Sequence, residues 1–244
     1  LIAYNVNLNT KDKKKATDIA LDIREKGRAK RDSNGKIIRD NLGRILKVPG
    51  KLKNVKAVGW YIDEYKQAQV SINLTNYKAT PLYKVFEEVR RQANKRGLRV
   101  TGSEIVGLIP KNALLEVGRF YLKKQKSPLG VPDKDAMDIA IKSLGLNDIA
   151  TFDFNSSVVE NALSEQNFLI NKNLKSFMDE LSRDTATPGG GSVSALSGAL
   201  SASLVSMVIT LSKDRKLDKY AIQSQKLKEE LLLLIESDAK AFDF

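Results

Sequence analysis

The first half of the chain alternates between short runs with a two-residue period and longer runs with helical spacing. Apolar and polar positions alternate at 1–8, and apolar residues then recur at helical spacing through 13–26, where Gly27 supplies a stop. Further strand-like runs lie at 55–63, 67–74 and 98–109, and further helices begin at Pro81 and Pro110. The order predicts an α+β fold, a ferredoxin-like βαββαβ sheet domain with one trailing helix.

The pattern changes after Lys126, where two X-Pro pairs mark a break. From about residue 168 the apolar positions follow helical spacing only, so an all-α bundle is expected to begin there. The predicted helices of this half are 133–144, 172–183, 191–212 and 216–244. The predicted domains are 1–126 for the sheet, 127–167 for a linker with a short helix, and 168–244 for the first helices of the bundle.

One segment, 185–212, contains no charged residue, which raises the possibility of a transmembrane helix. Its seven serines and few large aliphatic residues instead favour a central helix of a soluble bundle, with no membrane partner. Small residues are expected to let neighbouring backbones approach, in tight packing or at a subunit interface: Ala195, Gly198, Ala199 and Ala202. Larger ones are expected to fill the core: Val193, Leu196, Leu200, Leu204 and Val208.

Composition restricts the chemistry that is available. The chain has no cysteine and no histidine, which excludes disulfides, thiolate metal sites and an imidazole base within it. A reducing compartment such as the cytoplasm fits this composition. The net charge is +12, and 11–56 holds 16 Lys/Arg against 6 Asp/Glu. This basic segment predicts an anionic partner, for which nucleic acid, acidic lipid and a polyanionic small substrate remain candidates, unless it is only a solvated loop.

Polar side chains that share one face of the predicted sheet form the first candidate site. Alternation places them on the side opposite the apolar core positions: Asn5, Asn7, Gln69, Ser71, Asn73, Thr101 and Ser103. Amides and hydroxyls of both polarities suit a heterocyclic or amide-rich ligand, or a polar domain interface, while a solvated sheet face is the plainer alternative. An RNA-binding βαββαβ module would need stacking aromatics on its central strands, where this face has amides, so no nucleic-acid partner is expected.

Two further candidates, a glycine run and a carboxylate, lie in the helical half of the chain. Gly189, Gly190, Gly191 and Ser192 precede the uncharged helix, and unpaired N–H groups at such a helix start attract anions. The alternative is a flexible interdomain link. Asp238 follows a run of leucines, so partial desolvation would suit it to proton transfer, although a lone Asp on a helix is more often at the surface.

Long motifs in both halves resemble those of one enzyme family. YNVNL at 4–8, VKAVGWYIDEYKQAQVSINLTN at 55–76 and RVTGSEIVGLIPKNALLEVGRFYL at 99–122 resemble the C-terminal half of glutamate formimidoyltransferases. TPGGGSVSALSGALSASLVSMV at 187–208 and ESDAKAF at 236–242 resemble the start of formimidoyltetrahydrofolate cyclodeaminases. Their order is that of the bifunctional formimidoyltransferase-cyclodeaminases of histidine degradation, and the chain looks like an internal portion of such a protein.

The resemblance implies two folate reactions and their ligands. The formimino group of N-formimino-L-glutamate passes to tetrahydrofolate, and 5-formiminotetrahydrofolate is then cyclised to 5,10-methenyltetrahydrofolate with loss of ammonia. Tetrahydrofolate, expected to be polyglutamylated, is a substrate, and no metal is implied. Asp238 is the expected catalytic residue of cyclisation. The family's transferase histidine has no counterpart here, so the chain alone is expected to be inactive in transfer. A homo-oligomer formed through the helical domain is also expected.

Overall fold

The computed structural model describes residues 1–163 and 169–241, which group into two compact units. The first comprises Leu1–Tyr121 and Met137–Ala162, and the second comprises Leu122–Ala136 and the described part of Leu163–Phe244. The predicted domain boundaries at 126 and 167 remain predictions. The last residues of the predicted linker, 164–167, lie outside the described residues, as do the final three positions of the last predicted helix.

The first unit contains a four-stranded antiparallel sheet. Its elements are β1 (Ile2–Leu8), α1 (Lys13–Ile23), β2 (Arg28–Ala29), β3 (Lys47–Val48), β4 (Val55–Ile62), β5 (Gln67–Leu74), α2 (Leu82–Asn94), β6 (Val100–Val106) and α3 (Lys111–Lys124). The strand order is β4-β5-β1-β6, with all neighbours antiparallel. This topology confirms the predicted ferredoxin-like βαββαβ arrangement, and every strand of the prediction is present.

Helix α1 packs on the apolar face of this sheet. Asp12 caps its start, because the Asp12 side chain accepts a hydrogen bond from the N–H of Lys14. Gly59 on β4 permits the close approach, since a Cβ there would lie 2.2 Å from the backbone nitrogen of Thr17. The core of this unit is formed by apolar side chains from both helices and the sheet, among them Ile2, Tyr4, Val6, Ile19, Ile23, Val70, Ile72, Val85 and Val89.

The basic excursion between α1 and β4 folds as two consecutive turns with the same hydrogen bonds. In the first turn the Asp32 carboxylate accepts from the N–H groups of Asn34 and Lys36, each at 2.9 Å. In the second the Asp40 carboxylate accepts from Leu42 and Arg44 at the same distances. These bonds lower the pKa of Asp40, with the backbone bond from Arg44 as the largest cause. The two turns follow a repeated sequence, RDSNGKI at 31–37 and RDNLGRI at 39–45.

The segment after α3 contains α4 (Asp133–Leu144), α5 (Phe154–Ser157) and α6 (Val159–Ala162). The N–H of Ser103 on β6 donates to the carbonyl of Gly145 at 3.1 Å. Ile109 and Val158 form a parallel bridge further along. Much of the predicted linker is therefore held by backbone hydrogen bonds to the first unit.

The second unit is helical, as predicted. Its long elements are α7 (Leu174–Leu181), α8 (Gly190–Ser212) and α9 (Asp218–Ala241), with 3₁₀ turns at Leu169–Asn171 and Arg215–Leu217. Helices α8 and α9 pack along each other, and the buried positions of α8 carry small side chains: Ser192, Ala195, Ala199, Ala202 and Ser206. The expectation that small residues allow close helix approach is thus confirmed for the alanines.

The prediction that large aliphatic residues of α8 fill the core is wrong for Leu200, Leu204 and Val208. These side chains are more than half exposed. The reason is that α9 covers the side of α8 that carries the small residues, while α8 has no charged side chain to mark its other sides as solvent-facing. By length and composition α8 also meets the requirement for crossing a membrane, which taken alone is a weak indication.

Candidate functional site

The face of the sheet opposite α1 carries the first group of predicted residues, and it is called the polar face below. Strand pairing places Asn5 of β1 between Ser71 of β5 and Glu104 of β6. One step along, Asn7 pairs with Gln69, which in turn pairs with Trp60 of β4. Asn73 lies on the same face and is exposed, whereas Ser71 is half-buried. Sequence alternation thus placed all five proposed binding residues, Asn5, Asn7, Gln69, Ser71 and Asn73, on one face.

Glu104 links three side chains of the polar face. Its Oε1 atom accepts hydrogen bonds from Asn5 Nδ2 at 3.0 Å and from Gln69 Nε2 at 2.7 Å. Its Oε2 atom accepts a longer bond of 3.3 Å from the hydroxyl of Tyr65, in the β4–β5 turn. Gln69 Nε2 also donates to Asn7 Oδ1 at 2.7 Å. These five residues, Asn5, Asn7, Tyr65, Gln69 and Glu104, are called the Glu104 network.

Two members of the Glu104 network have unusual environments. Asn7 is 1% exposed, and its Nδ2 donor is buried without a hydrogen-bond partner. The negative charge of Glu104 raises the pKa of Tyr65, which keeps the Tyr65 hydroxyl protonated and able to donate. Through Gln69, the network thus links an oriented carboxylate to an amide donor that has no partner within the described residues.

The prediction that Ser103 lies on the polar face is wrong. Ser103 pairs with Val6 on the apolar side, accepts a hydrogen bond from the Tyr4 hydroxyl at 2.9 Å and donates to the carbonyl of Leu144 at 2.7 Å. The cause is an irregularity at Gly102, whose φ of 144° shifts the alternation by one residue. Thr101 stays on the polar side, where its hydroxyl donates to Gln67 Oε1 at 2.8 Å.

The same shift explains why sequence reasoning missed Glu104. Strict alternation from Thr101 places Glu104 on the apolar side, whereas the irregularity returns it to the polar side opposite Asn5. A glycine within a strand pattern is a signal of such a bulge. Tyr65 was missed because it lies in the hairpin turn, where alternation does not apply.

Apolar side chains flank the Glu104 network on both edge strands. Trp60 and Val58 on β4 are 53% and 51% exposed, and Val106 on β6 is 52% exposed. Lys13 Nζ lies 5.6 Å from the centroid of the Trp60 ring. A polar band with exposed apolar margins can hold a flat ligand or another protein surface.

The second group of predicted residues meets where α8 begins. Asp238 on α9 accepts two hydrogen bonds at Oδ2 from Ser192, one from its N–H at 2.7 Å and one from its hydroxyl at 3.0 Å. The Ser192 hydroxyl also lies 3.0 Å from the carbonyl oxygen of Ile235. The glycine run and Asp238, 46 positions apart in sequence, therefore form one site, called the Gly–Asp site below.

The three glycines of the Gly–Asp site have different surroundings. A Cβ on Gly191 would lie 2.0 Å from Asp238 Oδ1, so the carboxylate occupies the space that a side chain would need. A Cβ on Gly190 would meet nothing within 4 Å, and Gly189 is the residue that precedes the helix. The first turn of α8 places the Ser192 N–H at this carboxylate, and a helix N-terminus attracts negative charge.

Ser192 is fully buried, so its hydroxyl faces Asp238 and the α9 backbone rather than open space. A small apolar cluster of Phe177, Ala195 and Ile235 fixes α7, α8 and α9 next to this site. The geometry provides a half-buried carboxylate with a defined orientation beside an open glycine surface. Such a group can accept and return a proton.

Within residues 1–163 and 169–241 no group of three or more His, Cys, Asp or Glu side chains is arranged to hold a metal ion.

Comparison with known proteins identifies both units. The family model of the formiminotransferase domain matches residues 3–164, and that of formiminotransferase-cyclodeaminase matches residues 173–244. The chain is 35% identical to the formimidoyltransferase-cyclodeaminase of Sus scrofa, over 100% of this chain and 44% of that protein. It is 36% identical to that of Mus musculus, over 99% of this chain and 43% of that protein.

A relative with a single named activity matches part of the chain. The glutamate formimidoyltransferase of Thermoplasma acidophilum is 37% identical over 50% of this chain and 33% of its own length. The RNA-binding alternative receives no support from any of these matches. The chain spans less than half the length of the bifunctional relatives, and it belongs to the formimidoyltransferase-cyclodeaminase family.

Proposed function

We propose that the protein acts in the one-carbon chemistry of histidine degradation, in the cytoplasm, and uses tetrahydrofolate as a substrate. In the first reaction the formimino group of N-formimino-L-glutamate passes to N5 of tetrahydrofolate. In the second, 5-formiminotetrahydrofolate closes to 5,10-methenyltetrahydrofolate and releases ammonia. The observation that carries the proposal is the Gly–Asp site, because residues distant in sequence converge there on one oriented carboxylate.

Asp238 is the proposed proton carrier of cyclisation. N10 of the folate attacks the carbon of the protonated formimino group, so that an N10–C bond forms. Asp238 accepts the N10 proton and returns it to the amino group of the tetrahedral intermediate. The C–N bond to this amine then breaks, ammonia leaves, and the positive charge remains on the methenyl product. One carboxylate can serve both transfers because a single proton moves from one nitrogen to the other.

The glycines are proposed to border the substrate at the Gly–Asp site. Gly190 has open space where a side chain would stand, so a ligand can approach its backbone. Gly189 precedes the first turn of α8, whose N–H groups suit a carboxylate of the substrate. Ser192 is proposed to act through Asp238, since its side chain is buried and bonded to that carboxylate.

The polar face is the proposed folate or formiminoglutamate surface of the transferase. Asn5, Asn7 and Gln69 supply amide groups within the Glu104 network, and Ser71 and Asn73 extend the same face. Because the chain contains no histidine, we propose that these 244 residues contribute a binding surface and do not catalyse transfer on their own. Turnover of formiminoglutamate by the purified chain would refute that statement.

A polyglutamylated folate is the proposed natural form of the substrate. The excursion at 28–54 is basic, and its two Asp carboxylates are already bonded within the turns. Excess positive charge attracts the carboxylates of a glutamate chain at long range. We expect the triglutamate of 5-formyltetrahydrofolate to bind more tightly than the monoglutamate, with a difference that shrinks as salt is raised.

We also propose that the protein forms homo-oligomers through its helical unit. Leu200, Leu204 and Val208 expose aliphatic surface on α8, and association with a second copy would bury it. Light scattering of the full-length protein tests this proposal, and a monomer at micromolar concentration would contradict it.

The decisive experiment supplies the full-length protein with tetrahydrofolate and N-formimino-L-glutamate. Formation of 5,10-methenyltetrahydrofolate is followed by absorbance and ammonia release by a coupled assay. The proposal requires both products in equal amounts. Steeply salt-dependent binding of oligonucleotides with no folate turnover would instead support a nucleic-acid module.

A further inference from the structure

Glu104 has unused capacity for hydrogen bonding on the polar face. A carboxylate offers about four acceptor positions, two on each oxygen. Oε1 accepts two short bonds, from Asn5 and Gln69, whereas the bond that Oε2 accepts from Tyr65 is 3.3 Å long. A ligand N–H group can therefore join Oε2 without displacing the amides that orient the carboxylate.

Asn7 supplies an independent indication that a polar ligand belongs here. Its Nδ2 atom is buried and has no acceptor, although Gln69 holds its Oδ1 atom at 2.7 Å. Buried amide donors in native proteins are nearly always paired, so an unpaired one calls for an acceptor that is absent from the protein itself. Gln69 bonds to both Asn7 and Glu104, so this unused donor and the unused acceptor of Glu104 belong to one network.

Trp60 defines the shape of the ligand that fits. It lies directly across from Gln69 on the neighbouring strand and is half exposed. A flat ring can stack on an exposed indole while its edge reaches the adjacent polar groups. The pyrimidine edge of a pterin combines these properties, since its N3–H and 2-amino donors stand beside its O4 acceptor.

We propose that Glu104 is a specificity-determining residue that accepts a hydrogen bond from the 2-amino group of the pterin ring. The inference rests on the proposed function, because it places a tetrahydrofolate on the polar face. Charge-assisted hydrogen bonds from N–H to carboxylate are stronger than neutral ones, and a site built around one rejects analogues that lack the donor. On this proposal, residues other than Glu104 bind N-formimino-L-glutamate.

The test is binding of 5-formyltetrahydrofolate to the full-length protein and to its Glu104→Gln variant, measured by calorimetry. Gln keeps the size and one acceptor oxygen but removes the charge, and we expect affinity to fall about tenfold or more. A second ligand, the 2-desamino-2-methyl analogue, lacks the donor in question. The wild type and the variant should bind this analogue with equal affinity. The matched control is Glu116→Gln on α3, which should bind both ligands as the wild type does.

The outcomes separate this inference from the proposed function. Equal affinity of wild type and Glu104→Gln for 5-formyltetrahydrofolate overturns the inference and leaves the proposed function intact. An equal loss for both ligands also overturns it, since that result indicates a structural role. Binding of N-formimino-L-glutamate is measured in the same way. If Glu104→Gln weakens binding of that ligand alone, Glu104 contacts the other substrate and the pterin contact is refuted. No folate binding by the wild type refutes the proposed function itself, and the inference with it.

A variant that fails to fold is recognised by its far-ultraviolet circular dichroism and its urea midpoint. Glu104→Asp then replaces Glu104→Gln in the test, because it keeps the charge on a shorter side chain. It should weaken binding of 5-formyltetrahydrofolate and leave binding of the analogue unchanged, and equal effects on the two ligands would again overturn the inference.

Discussion

Gly191 and Asp238 fit together so closely that a methyl group on Gly191 would have to displace the carboxylate. A Cβ on Gly191 would lie 2.0 Å from Oδ1 and 2.4 Å from Cγ of Asp238. On the neighbouring residue, Ser192, the backbone N–H holds Oδ2 at 2.7 Å. The orientation of Asp238 therefore depends on the absence of a side chain at one position and on a donor at the next.

Gly191→Ala should destabilise the helical unit. Overpacking of this kind costs about 1–3 kcal/mol of unfolding free energy, because Asp238 must leave its hydrogen bonds or the helices must separate. Gly190→Ala is the matched control, since its Cβ would meet nothing within 4 Å. Alanine also has a better helix propensity by about 1 kcal/mol at most. Urea denaturation, followed by far-ultraviolet circular dichroism, compares the unfolding free energies of the two variants. An equal loss of stability in both would contradict the close contact between Gly191 and Asp238.

Asp238→Asn should abolish cyclisation while formimino transfer continues. The amide keeps an oxygen that can accept from the Ser192 N–H, so the fold is expected to persist, but it does not take up the N10 proton. Removing an acid–base group of this kind lowers kcat by about 10²–10⁴-fold. The measurement is methenyl formation by the full-length protein supplied with 5-formiminotetrahydrofolate. Asp179→Asn, at an exposed position on α7, is the control, and a similar rate for Asp238→Asn and wild type would rule out the proposed role.

Ser192→Ala should lower kcat of cyclisation with little change in KM. It removes the hydroxyl bond to Asp238 but keeps the N–H bond, and a hydrogen bond of about 1.4 kcal/mol corresponds to roughly tenfold in rate. Ser194→Ala removes an exposed hydroxyl that bonds only its own helix, at Gly190. It should have no effect on kcat. In the Asp238→Asn background Ser192→Ala should cause no further loss, and an additional loss there would contradict a positioning role.

The sheet could be predicted from the sequence because alternation of polar and apolar residues follows directly from strand geometry. The prediction from alternation failed at Gly102. The irregular backbone there shifts the alternation by one residue, so Ser103 and Glu104 lie on the opposite faces from those predicted. Hydrogen bonding across strands depends on that register, so the central position of Glu104 lay beyond what alternation alone predicts.

The helical unit was predictable in its elements and less so in its packing. Small residues correctly indicated where α8 meets α9, but large aliphatic residues also lie on sides of this uncharged helix that α9 leaves exposed, so Leu200 and Leu204 were misassigned. Family resemblance indicated the glycine run and Asp238 separately and did not predict the contact between Gly191 and Asp238. Spacing along the chain could not predict this contact either, because the two residues lie on different helices.

Stability of the first unit should fall in alkaline solution because of Tyr4. Burial raises its pKa far above that of a free tyrosine, while its hydrogen bond to Ser103 opposes the shift. Above pH 10 the unfolded chain loses this proton and the folded protein retains it, so the unfolding free energy falls by up to about 1.4 kcal/mol per pH unit for each such tyrosine. Burial also raises the pKa of Tyr121, which adds to this dependence of stability on pH.

Tyr4→Phe should reduce the slope of stability against pH and should cost about 1 kcal/mol near neutral pH through the lost hydrogen bond. Urea midpoints from Trp60 fluorescence between pH 8 and about pH 11 measure both effects, and an unchanged slope in Tyr4→Phe would show that Tyr4 ionises alike in both states.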